Sequence, residues 1–281
     1  MFTELSPLLN IFLLSFVASL GTGLGGLIAV IRRPGKRSYG FLMGITAGVM
    51  ICLSFLELVN EALQMAGYVT TTIGFAVGAI FMFVLDHFAP HIRFGEKEIR
   101  GSPVEPEVQV ARGSHSRGRR YGRLRHQGQG FDQKLVNTGL LLAVGITLHN
   151  LPEGIAVGAG YLHNPTFGVF IATAIMLHNI PEGIATALPL CKGGVCRRDA
   201  LLVAFLSGLA EPVGALLAGL FLVNFQGLVP AALAFAGGVM VFITLDELIP
   251  TAREYGHEHY TAIGIILGSI FVFVLSGIMG V

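Results

Sequence analysis

Charge is scarce in this chain. Of its 281 residues only 12% are Asp, Glu, Lys or Arg, while 53% are hydrophobic and the mean hydropathy is +0.72. An ordinary soluble domain is about 25% charged, so the composition excludes that class and points to the membrane. Cysteine is scarcer still. Cys52, Cys191 and Cys196 are too few for a disulfide framework, and odd in number. Cys191 and Cys196, five positions apart in a short loop, make a weak metal pair. What is abundant is glycine, 38 residues, which suits helices that approach closely in lipid.

Eight apolar stretches are each long enough to cross a hydrocarbon core of about 30 Å at about 1.5 Å per residue. They run over about 6–31, 39–64, 70–90, 135–160, 166–189, 199–224, 228–250 and 258–280. The first has no basic start and no small-residue cleavage site, and it is longer than a signal-peptide core, so it is expected to be retained. An all-α integral membrane domain is the predicted fold.

The basic residues check that count. Arg32, Arg33, Lys36 and Arg37 follow the first span, and ten more lie between Arg93 and Lys134. Lys192, Arg197 and Arg198 follow the fifth span, and Arg253 follows the seventh. These are all 18 of the chain's Lys and Arg, and all fall in alternate loops. The positive-inside rule then places those loops in the cytoplasm and both termini outside. An error in the number of spans would scatter the charges over both faces. The segment 91–134 is rich in Gly, Arg, Ser and His and is expected to be a disordered cytoplasmic loop near anionic lipid. Its His115 and His126 read as part of a solvated basic surface, and His91 stands near a helix end.

An internal repeat relates spans 1–3 to spans 6–8. GVMICLSFLEL at 48–58 matches GVMVFITLDEL at 238–248, GFAVGAIFMFVL at 74–85 matches GIILGSIFVFVL at 264–275, and SLGTGLGGLIA at 19–29 matches GLAEPVGALLA at 208–218 more loosely. The copies begin five spans apart and so enter the membrane from opposite faces. That is an inverted repeat, the build of carriers that alternate their access. Spans 4 and 5 stand alone between the copies, giving a 3 + 2 + 3 arrangement.

Those two central spans carry the same polar sentence twice. His149-Asn150-Leu151-Pro152-Glu153-Gly154 recurs 29 residues later as His178-Asn179-Ile180-Pro181-Glu182-Gly183. A charged residue at the centre of a membrane helix costs roughly 2.5–3.5 kcal/mol on insertion scales, so a duplicated ionisable motif there needs a reason. Residues four apart share a helix face, which aligns His149 with Glu153 and His178 with Glu182. Span 6 adds Glu211 before Pro212, again near mid-membrane. Three carboxylates at one depth repel each other unless a cation joins them. Imidazole with carboxylate suits Zn²⁺, Fe²⁺, Mn²⁺ or Co²⁺, and the amides of Asn150 and Asn179 offer further oxygens. Pro152, Pro181 and Pro212 each free a carbonyl four residues back, which is tolerated at membrane depth where a cavity is lined.

Other ionisable residues mark a path. Glu57 and Glu61 lie near the outer end of span 2, and Glu57 is the proposed entry residue. Asp86 and His87 end span 3 on the inner side, Asp246 and Glu247 lie near the inner end of span 7, and His257 and His259 follow it. Asp86, Asp246, Glu247 and His257 form the expected exit, with His87 beside them. Glu57 and Glu247 are repeat mates on opposite faces.

With both motifs in place, the chain resembles the ZIP family of divalent metal transporters over its whole length, and most of all its bacterial members with HNxPEG in both central helices. The resemblance implies uptake of zinc into the cytoplasm, often extending to iron, manganese, cobalt or cadmium. It implies a transport site of His149, Asn150, Glu153, His178, Asn179, Glu182 and Glu211, with Met50 facing it. It implies that one bundle of helices moves against another, and that homodimers occur. Some members carry Gln-Asp where this chain has His178-Asn179, and there two metals sit close together. Asn179 lacks that charge, which argues against a permanently binuclear site here.

The expected function is therefore a metal carrier of a bacterial inner membrane, with metal ions and lipid as partners, no nucleic acid and no prosthetic group. A channel with the same ligands is the nearest alternative. An intramembrane metalloenzyme is remote, because hydrolases of that kind use HExxH and no HExxH occurs in this chain.

Overall fold

A computed structural model describes residues 6–32, 34–88, 132–255 and 258–281. Among them there is no β-strand, and seven helices are long and apolar enough to cross a membrane. In order these are α1 (Pro7–Arg32), a long second segment, α4 (Gln133–His163), α5 (Pro165–Lys192), a divided fifth segment, a sixth ending near Tyr255, and α10 (Glu258–Met279). The second segment comprises α2 (Lys36–Cys52), a π-helical turn (Leu53–Val59) and α3 (Asn60–Phe88). The fifth is α6 (Arg197–Gly208) and α7 (Ala210–Leu222). The sixth is α8 (Val229–Ile243), a second π-helical turn (Thr244–Leu248) and α9 (Ile249–Tyr255).

The second long segment covers 51 residues, Arg37–His87, about 77 Å if it were straight. It is broken at Gly67, whose φ of 73° and ψ of 178° lie where only glycine settles. The break falls in the five residues between predicted spans 2 and 3. The segment 91–131 and His257 lie outside the described residues. The predicted loop also gives up its last residues. Asp132 caps α4, its Oδ1 accepting from the backbone N–H of Lys134 at 3.0 Å and of Leu135 at 3.2 Å, so the helix starts at Gln133.

Burial divides the helices into a centre and a rim. The most apolar stretch of α5 is 72% buried and that of α10 only 17%. The exposed face of α10 carries Ile263, Ile266, Leu267, Ile270, Phe273 and Val274. Such a stripe would be a liability in water and is the ordinary surface of a helix in lipid.

The packing is two-fold repetitive. α1 lies on α5 as α7 lies on α4, and α10 lies on α2 as α3 lies on α8. Glycines show this residue by residue. A Cβ on Gly25 would overlap the Ile180 carbonyl oxygen, and one on Gly183 the Thr22 carbonyl oxygen. The same reciprocal contact recurs between Gly214 and Leu151 and between Gly154 and Glu211. A second set joins Gly48 to Ile265 and Gly268 to Ile45, matched by Gly238 to Phe75 and Gly78 to Phe235. Each member is the repeat mate of its counterpart, so the sequence repeat is a structural one. The motif glycines Gly154 and Gly183 are where backbones touch, which is why no larger residue fits there.

Candidate metal centre

Both central motifs lie inside unbroken helices, α4 through Pro152 and α5 through Pro181. Only the third proline marks an interruption. α6 ends at Gly208, and α7 begins at Ala210 with Glu211 in its first turn. His149, Asn150, Glu153, His178, Asn179, Glu182 and Glu211 are all buried, none more than 3% exposed.

Three of them form a tight group. Donor atoms of Glu153, His178 and Glu182 all lie within 4.8 Å of one another, and His178 Nε2 is 3.2 Å from Glu153 Oε1. The group joins the carboxylate of the first motif to the imidazole and carboxylate of the second. Helical spacing alone pairs each His with the Glu of its own motif, and the structure adds the pairing across the two helices. Glu211 approaches from α7, close enough to act on Glu153 and Glu182 electrostatically. Its Oε2 accepts from Asn179 Nδ2 at 2.8 Å.

The asparagines hold the helices together through their nitrogens. Asn179 Nδ2 donates to the Ala18 carbonyl at 3.2 Å, and Asn150 Nδ2 donates to the Ser207 carbonyl at 3.1 Å. These contacts are also repeat mates. Both amide oxygens are left turned inward without a hydrogen-bond partner among the described residues. Among those residues the same is true of both Glu153 oxygens, both His178 ring nitrogens, His149 Nε2, Glu182 Oε2 and Glu211 Oε1. Buried polar atoms are normally satisfied, and each exception calls for an explanation such as an ion. These nine unsatisfied atoms, nearly all lone-pair donors, belong to the seven buried residues of the two motifs and Glu211.

His149 stands apart from the tight group. Its Nε2 is 3.4 Å from Glu247 Oε2, so a predicted exit residue reaches the motif of α4. Glu57, the mate of Glu247, is half-buried and lies close to Glu61 and to Ser276, whose Oγ donates to the Val281 carbonyl at 2.5 Å. Met50 is fully buried. Asp86 is buried and His87 exposed, its ring stacked on Phe83 at 6.4 Å, and Asp246 is exposed.

Three features were not read from the sequence. Glu61 Oε1 lies 2.6 Å from His163 Nε2, tying the start of α3 to the last residue of α4. Nothing in the local pattern announces that pair, because the partners are 102 positions apart. Thr22, the mate of Glu211, is wholly buried, and its hydroxyl has no partner among the described residues; the looser match over 19–29 could have flagged it. The two π-helical turns also escaped notice, although Ser54 and Thr244 mark them.

An α-helical membrane protein with a buried nitrogen-and-oxygen ligand cluster at the meeting of its central helices is thus the class that fold and site define. Residues 67–276 match the family described as ZIP Zinc transporter. Proteins called zinc transporter ZupT are similar along nearly the whole chain. That of Akkermansia muciniphila is 37% identical over 284 residues, covering 95% of this chain and 97% of its own length. That of Chlorobaculum parvum is 38% identical, covering 94% and 95%, and that of Clostridium perfringens 34%, covering 96% of both. The chain belongs to the ZIP family.

Proposed function

We propose that this protein carries divalent transition metal, zinc above all, into the cytoplasm, and that Glu153, His178 and Glu182 are the core of its transport site. The observation that carries the reading is the buried group of two carboxylates and an imidazole whose donor atoms all lie within 4.8 Å. Tetrahedral zinc holds N and O ligands about 2.0–2.2 Å away, so its ligand atoms stand about 3.4 Å apart, and small side-chain movements close the difference. Three buried carboxylates at close range repel one another. A divalent ion removes that strain. Glu211, Asn150, Asn179 and His149 surround the core as further ligands or supports, and Met50 packs beside it. Moderate affinity follows from function, because the ion must leave as well as enter.

In this reading Gly67 is an outer turn, the chain has eight spans, and both termini face outward. The relatives named zinc transporter come from bacteria, which supports a cell (inner) membrane. Metal enters past Glu57 and leaves by Asp86, His87, Asp246, Glu247 and His257. Iron, manganese, cobalt and cadmium are further cargoes, and a homodimer is the expected assembly. The test is initial zinc uptake into proteoliposomes over a range of concentrations, with the other metals as competitors. Saturation in the micromolar range supports a carrier, linear flux to millimolar a channel, and no flux of any of these metals refutes transport.

A further inference from the structure

The two π-helical turns are repeat mates, and the contacts that support them match. Each follows a buried methionine, Met50 or Met240. The Met50 carbonyl accepts from Ser54 Oγ at 2.6 Å, and the Met240 carbonyl from Thr244 Oγ1 at 2.7 Å. π-helical turns loosen the backbone bonding register and recur at functional sites, and here a hydroxyl supports it in both copies. The pattern of burial from Leu53 to Asn60 repeats from Ile243 to Pro250. Each turn presents one half-buried carboxylate, Glu57 or Glu247. The central helices obey the same exchange, His149 of α4 corresponding to His178 of α5.

One contact breaks the symmetry. Glu247 Oε2 reaches His149 Nε2 at 3.4 Å. Among the described residues Glu57 makes no ion pair with His178, whose Nε2 lies 3.2 Å from Glu153 Oε1. Inverted repeats are the build of carriers that alternate access by moving one bundle against the other, and exchanging the roles of two near-equivalent halves turns a contact made on one side here into one made on the other. We propose that Glu57 pairs with His178 in the opposite conformation as Glu247 pairs with His149 in this one, so that the two carboxylates close the central site alternately from opposite faces. This rests on the carrier reading.

The geometry gives the required movement. Thr46 Oγ1 of α2 lies 3.4 Å from the His178 carbonyl, so His178 is level with Thr46. Glu57 is eleven positions further out along the same segment, about 16 Å of rise. The reach of the two side chains covers part of that. The central helices therefore slide outward on α2 by on the order of 10 Å. The seam they slide along is apolar: a groove of about 670 Å³ separates α4 and α7 from α3 and α8, lined by Ile73, Val77, Leu151, Leu217, Phe221 and Phe235 among others. An outward slide also draws His163 away from Glu61, whose 2.6 Å pair crosses from one group to the other.

The test uses the full chain in liposomes with Cys52, Cys191 and Cys196 replaced by serine. Two cysteine pairs, Glu247→Cys with His149→Cys and Glu57→Cys with His178→Cys, are treated with a short bifunctional methanethiosulfonate. Both pairs are expected to cross-link, the second more slowly. Cross-linking of the first pair alone overturns the proposal. Wild-type zinc uptake in the same liposomes tests the carrier reading separately, and its absence would remove that reading rather than the pairing alone. A second measurement avoids altering the site histidines. Glu247→Gln and Glu57→Gln are expected to shift hydrogen–deuterium exchange at the outer end of α4 in opposite directions, each by about tenfold in the population of the two conformers. Shifts of the same sign would overturn the exchange of roles.

Discussion

The two halves of the repeat share a skeleton and differ in their charges. Gly25 and Gly214, Gly48 and Gly238, Ser54 and Thr244 make the same contacts in both. Thr22 in the first half stands where the second has Glu211, and Glu57 lies close to Ser276 where Glu247 faces His149. Close backbone packing tolerates no drift, because an added methyl strikes a carbonyl. Charge is free to differ, since an ion site needs ligands from only one side at a time. On the proposed reading, the symmetry serves movement and the asymmetry serves binding.

Breaking the skeleton should cost most. Gly183→Val and its mate Gly154→Val are expected to destabilise by about 3 kcal/mol or more, beyond the usual cost of overpacking, and to abolish folded protein in membranes, equally for both. Unequal yields, measured by size-exclusion after extraction, would show that the halves do not bear equal packing. Breaking the asymmetry comes next. Glu211→Gln is expected to weaken zinc affinity about tenfold, the scale seen when a group supporting a metal site is lost, while Thr22→Val leaves uptake within about twofold. Equal losses in initial uptake would make Thr22 a ligand and the site symmetric.

Proton competition should have a smaller effect. Metal binds neutral imidazole and ionised carboxylate and displaces their protons. Initial uptake is therefore expected to fall several-fold as pH drops from neutral to about 5. A flat profile would count against this donor set. Ser54→Ala and Thr244→Ala should have the smallest effect, about 1 kcal/mol each for one lost hydrogen bond. That is a melting shift of about 2–4 °C in a protein of this size, the same for both if the turns are equivalent.

Much of this was legible in the chain. Alternating clusters of Lys and Arg placed the spans, because charge is expensive inside lipid and its position is constrained by orientation. The doubled motif pointed to α4 and α5, because His and Glu at mid-membrane demand a reason. Helical spacing could align His149 with Glu153, but it could not show that Glu153 meets His178, or that His149 meets Glu247. Those pairings depend on how separate helices are set against each other. The Glu61–His163 pair escaped for the same reason. The π-helical turns were invisible because they change the backbone register by a single bond while the residues, SFLEL and TLDEL, read as ordinary helix. The glycines were read in bulk as packing residues, and only their reciprocal contacts revealed that the repeat is structural.

The most direct test of the metal centre is radioactive zinc uptake into proteoliposomes by wild type beside Glu153→Ala, His178→Ala and Glu182→Ala, with helix content checked by circular dichroism. The account predicts saturable uptake in wild type and a loss of about a hundredfold or more in each variant at unchanged helicity, at or beyond the range for a lost supporting group. Saturable uptake persisting in all three folded variants would contradict it and leave the buried cluster a structural feature only.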